Sequence, residues 1–258
     1  MKILAFETSA KAASVALLEE GKLLGSVYQN TGLTHSQTLM VMAQDLLSQL
    51  SLTPADVDIL AVAAGPGSFT GVRIGVAAAK GFAWGREIPC CAVSTLAAMA
   101  AGLGGWQGDK DCAPCSTLES MAWPLAHLEG RVIVCAMDAR RSQVYNALFH
   151  VSQGNCQRIR EDRAISLADL GQELKNLEEP IFLVGDGSIL CYNTLLETLP
   201  GLVLPPEHRM HQRAEGVALE GWRMAKEGDT VSGAELVPNY LRLSQAERER
   251  LERQTQAQ

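Results

Sequence analysis

The sequence predicts a two-lobed α/β fold in which the second lobe repeats the architecture of the first. The order β-β-β-α-β-α can be read twice, over residues 2–84 and again over 131–199. Both copies also place an acid at the end of their first strand, Glu7 and Asp138. A chain of 258 residues is long enough for two such units, each with its own core.

In the first copy, residues 2–7 form a short apolar run and residues 14–19 alternate around Val15 and Leu17. Glu20-Gly21 turns the chain into a third strand, 22–28. Thr34-His35-Ser36-Gln37 has capping-box form, and Leu39, Met42, Ala43, Leu46 and Leu50 follow at helical spacing. Thr53-Pro54 restarts the chain before a buried strand, 59–64. Gly65-Pro66-Gly67 then leads into a helix over 70–84, closed by Gly85.

The second copy begins with a strand over 131–138, followed by a turn at Arg140-Arg141 and a strand over 143–150. Gln153-Gly154-Asn155 turns the chain into 156–160. Ser166 caps a helix through Leu170, Leu174 and Leu177. A strand over 181–184 ends in Gly185-Asp186-Gly187, and a helix covers 189–199. Two mixed sheets flanked by helices describe the fold shared by actin, sugar kinases and heat-shock ATPases, in which glycine loops face a nucleotide cleft between the lobes. Fold alone does not assign function.

Composition narrows the classes. No run of about 18 apolar residues is present, and the start is strand-like with an acid in it, unlike a signal peptide. Seven cysteines at irregular spacing read as reduced thiols, so the expectation is a cytoplasmic protein. Net charge is −7, with no concentrated Lys/Arg footprint of the kind that grips phosphates. If the protein serves RNA chemistry, another subunit holds the RNA.

The most specific segment is Ala63-Ala64-Gly65-Pro66-Gly67-Ser68-Phe69-Thr70-Gly71-Val72-Arg73-Ile74-Gly75. With Phe6-Glu7-Thr8-Ser9, Asp138-Ala139-Arg140-Arg141 and Val237-Pro238-Asn239-Tyr240-Leu241-Arg242, it closely resembles the TsaB (YeaZ) family. The resemblance covers residues 1–101 well and 131–242 more loosely. It implies a non-catalytic partner of the bacterial transferase TsaD, required for threonylcarbamoyladenosine on ANN-decoding tRNAs. It also implies a heterodimer with TsaD, a homodimer when alone, and a small P-loop ATPase, TsaE, as third partner. tRNA is then met only through the complex. No tightly bound cofactor is expected, with ATP or ADP placed at the complex interface.

The resemblance sorts the candidate sites. Glu7, Thr8, Ser9, Gly65, Gly67 and Ser68 form a possible vestigial nucleotide or phosphate loop, because free N–H groups at a helix start attract anions. The other reading is a tight strand-to-helix turn that binds nothing, which the family's degenerate character favours. Catalytic relatives carry His-His-Met-Glu-Gly-His one segment later, its last two histidines holding a metal. Here the segment is Ser94-Thr95-Leu96-Ala97-Ala98-Met99, so Thr95 and Met99 stand at the ligand positions and no metal is expected. Met40, Val41 and Leu47 add apolar width beyond the single stripe that includes Leu39, and with Leu39 they point to a partner helix pair. Gly71, Arg73, Gly75 and Ala78 join them on the glycine-loop helix, by the resemblance.

Remaining signals have plainer readings. Cys112-Ala113-Pro114-Cys115 lacks the companions of a four-ligand zinc site and lies in a stretch longer than the usual family connection. His35 reads as part of a helix cap, Asp186 as a loop acid, and His208 and His211 carry no pattern. The expected organisation is a first lobe over 1–103, a variable insertion over 104–130, a second lobe over 131–234, and a partly helical C-terminal segment over 235–258. Two rival functions are an autonomous ATP-dependent small-molecule kinase or ATPase, and a peptidase acting on the partner. The first would need nucleotide-stimulated turnover by the isolated chain, and the second has no recognisable nucleophile–base pair.

Overall fold

The computed structural model describes residues 1–104, 130–152, 155–205 and 207–241. The first sheet contains β1 (Lys2–Glu7), β2 (Ala13–Glu19), β3 (Lys22–Gln29), β4 (Ile59–Gly65) and β5 (Cys90–Ser94), in the order β3-β2-β1-β4-β5. The second contains β6 (Val132–Asp138), β7 (Gln143–Ser152), β8 (Asn155–Ser166), β9 (Ile181–Val184) and β10 (Leu202–Val203), in the order β10-β9-β6-β7-β8. Read from the opposite edge, the two orders are the same. In each sheet a three-strand antiparallel meander continues into parallel strands. The duplication read from the pattern is therefore real in space.

Every residue of β4 is buried, as expected where both faces of a sheet are covered. On one face Leu4, Phe6, Val15, Leu17, Leu60 and Val62 pack under α1 (His35–Gln49) and α2 (Phe69–Ala83). On the other, Ile3, Ala5, Ala16, Leu18, Ala61 and Ala63 pack under a helix from much later in the chain. The second sheet is covered on one face by α4 (Leu167–Leu174) and α5 (Ser188–Leu195). Its other face meets α3 (Thr95–Gly104) through Leu96, Met99 and Ala100. After α6 (Glu207–Met210), α7 (Ala214–Glu227) closes the second face of the first sheet with Ala214, Val217 and Ala218.

The lobes thus exchange helices. α3 leaves the first sheet and packs on the second, and α7 leaves the second and packs on the first. This corrects the expected boundary at residue 234, because the chain has returned to the first lobe by Ala214. Chain proximity suggested the boundary, and burial decides it otherwise. Residues 231–241 follow α7 as an extended strap along the first lobe. Val231 bridges Cys90, Leu236 is fully buried, and Asn239 N donates to the Ala64 carbonyl at 2.7 Å. The described part of the C-terminal segment is not helical, whereas 242–258 and most of the expected insertion lie outside the described residues.

Two other local expectations are revised. Thr34 takes the N-cap conformation of α1, but its side chain makes no cap bond, so the capping box does not form. His35 instead donates from Nε2 to the Ala10 carbonyl at 2.8 Å and ties the helix start to the β1–β2 connection.

The lobe seam depends on a backbone contact between α3 and α7. A Cβ added at Gly216 would fall 2.0 Å from the Ala98 carbonyl oxygen. Gly216→Ala should therefore force the helices apart and cost about 1–3 kcal/mol, the usual range for overpacking. Urea denaturation is the check.

Candidate functional site

The glycine loop lies between β4 and α2, and its surroundings explain its composition. A Cβ at Gly71 would lie 2.0 Å from the Thr8 carbonyl oxygen, and one at Gly67 would lie 2.6 Å from that of Ser9. Only glycine allows this approach. Thr8 Oγ1 donates to the Gly71 carbonyl at 2.8 Å, Ser68 N donates to the Ser9 carbonyl at 2.7 Å, and Ser68 Oγ accepts from Gly71 N at 3.3 Å. From the other side, the Asn239 carbonyl oxygen comes within 2.3 Å of the position a Gly65 Cβ would take.

The loop is thus packed between Thr8–Ser9 and the strap, and its neighbours include three carbonyl oxygens. Oxygens of that kind repel a phosphate and do not stand in for N–H donors. The three glycines are explained by this tight strand-to-helix turn. Phe69 and Tyr240 stack at 4.7 Å beside the loop. The Arg73 guanidinium lies 3.8 Å from the Phe69 ring centroid and bonds Tyr240 Oη at 2.8 Å. Lys80 Nζ holds the carbonyls of Ala234 and Leu236. Arg73 and Lys80 share one side of α2, so the strap runs along that side.

Glu7 ends β1 beneath this loop and is 1% exposed. Its Oε1 accepts from Ser9 N at 2.6 Å, while Oε2 and the Ser9 hydroxyl have no hydrogen-bond partner. Burial pushes the Glu7 carboxyl up to about 7, partly offset by the neighbouring Ser9, whose amide donates to it, and the charge of Asp186 adds to the rise. Asp186, from the second lobe, is also raised, mainly by burial, although Gln212 Nε2 donates to it at 2.9 Å. Asp138 ends β6 as expected, but it is exposed and caps the Arg140 amide at 2.7 Å. Arg140, Arg141 and Ser142 all adopt left-handed φ in the following turn.

The α1/α2 surface differs in detail from the sequence reading. Met40 and Val41 face solvent at 41% and 55% exposure, and Arg73 is exposed. Leu39 and Leu47 are corrected to core residues under the first sheet's helical face. Gly71 and Gly75 are also inward, both against Thr8. Ala78 is half-buried, and the exposed small residues of α2 are Thr70, Ala77 and Gly81. Their spacing, with Ile74 between, makes one helical ridge, about 100° round the helix from Gly71, Gly75 and Ala78. Trp84, at 81% exposure, continues it past the helix end.

At the positions corresponding to the relatives' metal ligands, Thr95 and Met99 are buried at the start of α3, and Met99 packs against the second sheet. Cys112, Cys115 and Arg242 lie outside the described residues. Cys90, Cys91, Cys135 and Cys191 are buried, and burial raises the thiols of Cys90, Cys91 and Cys191. Among the described residues no helix is long and apolar enough to cross a membrane.

Two duplicated lobes, a glycine loop under the first and helices exchanged at the seam define a protein of the actin, sugar-kinase and heat-shock-ATPase class. Comparison with known proteins narrows this. Residues 25–118 match the family model for TsaD, tRNA N6-adenosine threonylcarbamoyltransferase. The tRNA threonylcarbamoyladenosine biosynthesis protein TsaB of Bacillus subtilis is 32% identical, with 98% of this chain and 100% of that protein covered. TsaB of Escherichia coli is 31% identical, covering 94% and 95%. A solved structure of YeaZ from Pseudomonas aeruginosa superposes with a TM-score of 0.69 at 26% identity, covering 93% of this chain and 99% of that one. The chain belongs to the TsaB family of tRNA threonylcarbamoyladenosine biosynthesis proteins.

The raised Glu7 carboxyl has a consequence for stability. The folded state keeps its proton longer than the unfolded state, so between pH 4.5 and about 7 the folded state binds more protons. Stability from this group therefore falls as pH rises through that window. Glu7→Gln should leave stability near pH 5 almost unchanged and raise it at pH 8, on the order of 2 kcal/mol. Urea midpoints at the two pH values check both signs.

Proposed function

We propose that the chain is a non-catalytic, partner-activating subunit for tRNA threonylcarbamoyladenosine formation, docking onto a TsaD-type transferase through α1 and α2. The observation that carries this is the outer face of those helices. Their inner faces already form the core, yet Met40 and Val41 remain exposed on α1 and the neighbouring α2 exposes Ala77 and Gly81. A surface of that kind admits a closely packed helix pair. Arg73 stands at its edge, fixed by Phe69 and Tyr240.

The non-catalytic reading is supported by the closed glycine loop and by Thr95 and Met99 where relatives hold metal. The tight packing of the glycine loop against Thr8, Ser9 and Asn239 supports placing ATP or ADP at the interface of the assembled complex. A TsaE-type ATPase completes the assembly, and the same helical face serves a homodimer when the transferase is absent. The acidic chain, with net charge −7, leaves tRNA binding to its partner. The setting is the cytoplasm.

The test changes Met40 and Val41 singly to Asp. Each variant should fold with stability within about 0.5 kcal/mol of the parent, as for an exposed site. Burial of the unpaired charge at the interface should cost several kcal/mol, enough to abolish co-purification with the transferase and the activity of the reconstituted complex. Normal binding by both folded variants would place the interface elsewhere. Leu47→Asp, aimed at the core, should instead unfold the chain.

A further inference from the structure

We propose that Arg73 is a pre-set carboxylate clamp, whose terminal amino groups take an acidic side chain of the docked partner at the edge of the α2 ridge. The proposal rests on the docking reading above and names the polar contact that accompanies the apolar one. It begins from how the guanidinium is held. Nε donates to Tyr240 Oη at 2.8 Å, and Cζ lies 3.8 Å from the Phe69 ring centroid and 5.8 Å from that of Tyr240. The two rings are themselves stacked at 4.7 Å, their planes 27° apart. An exposed arginine ordinarily samples many rotamers, and ordering it on binding costs free energy. Here α2 and the strap have ordered it in advance.

A negative charge is what the described chain does not supply. The sequence holds 29 acids against 22 lysines and arginines, yet among the described residues none pairs with Arg73. α2 has no acid of its own, and α1 has one, the exposed Asp45. On the strap, Glu235 accepts from the Ser232 amide and hydroxyl. Lys80, the other base of α2, is engaged by the carbonyls of Ala234 and Leu236. Arg73 is exposed, and it stands three residues after Thr70 and four before Ala77, so it borders the ridge a partner helix would meet.

Charge complementarity fixes the occupant. With Nε taken by Tyr240, the edge formed by Nη1 and Nη2 remains, and that edge matches the two oxygens of a carboxylate. A phosphate has the same geometry, but nucleic-acid backbones are held by several bases acting together. α1 has no lysine or arginine, and Lys80 is turned to the strap. One isolated, immobilised cation suits one acid.

Titration calorimetry of the full chain against a TsaD-type transferase, at low and at high salt, tests this. Arg73→Gln should weaken binding about tenfold at low salt and flatten the salt dependence that the parent shows. Arg73→Lys keeps the charge without the fork, so it should recover only part of the loss. Tyr240→Phe keeps the ring stack without the Oη bond and should fall between the parent and Arg73→Gln. The clamp is overturned if Arg73→Gln binds like the parent while Met40→Asp fails to bind, a result that leaves the docking reading standing. A loss of equal size at both salt concentrations would mark packing alone and also overturns it. Parent-like binding by both variants removes the docking reading and the clamp with it. If Arg73→Gln leaves transferase affinity intact but weakens the tRNA affinity of the complex, the occupant is a phosphate and the proposal fails. Should Arg73→Gln not fold, Arg73→Lys decides, since binding equal to the parent's excludes the fork.

Discussion

Most of this structure hangs on how closely two pieces of backbone approach below the start of α2. The Thr8 carbonyl lies where a side chain at Gly71 would begin, and the Ser9 carbonyl lies where one at Gly67 would. That contact sets α2 on the first sheet, and α2 in turn positions the face it shares with α1. It also explains why the loop is closed. Two donors of this tightly pressed turn are taken inside the protein, Ser68 N by Ser9 and Gly71 N by Ser68. The glycines that look like a phosphate loop in sequence serve packing in space.

The strap extends the same logic. Asn239 closes the loop from outside, while Tyr240, Phe69 and Arg73 stack across the first turn of α2. Residues from the chain's two ends therefore brace one helix, and the outward ridge of that helix is held rigid before any partner arrives. A pre-organised surface loses less freedom on docking. The exchange of α3 and α7 between lobes does comparable work at the seam. Each helix packs on the sheet it did not follow in sequence, so neither lobe closes its core alone. Ser94, at the start of α3, adds a 2.6 Å bond to Asp162 on the second lobe's edge strand.

Much of the fold was legible because it is periodic. Strand alternation separates Leu4 and Phe6 from Ile3 and Ala5, and the helical stripe of α1 names Leu39, Met42, Ala43 and Leu46 as core. The repeat of the β-β-β-α-β-α order was visible for the same reason, and the sheet orders confirm it. The site was legible only in part. Composition marked the glycine loop, but spacing could not say whether its N–H groups faced outward or met Ser9 and Ser68. For α2, the small residues chosen were one face too far round, since Gly71 and Gly75 answer to Thr8 and the exposed ridge runs through Ala77 and Gly81.

The sequence by itself determined the two lobes, their order of elements, the absence of imidazole at Thr95 and Met99, and the family signature around Gly65–Gly75. These are local properties: propensity, periodicity and residue type act within a few turns of chain. Only the tertiary structure decided that α7 belongs to the first lobe and that the strap packs on the glycine loop. Each joins residues separated by more than a hundred positions, and no local pattern records such a meeting. Met40 and Val41 illustrate the division most simply. Their apolar character was plain in the sequence, but which side of the helix the core would claim depended on where the sheet lay.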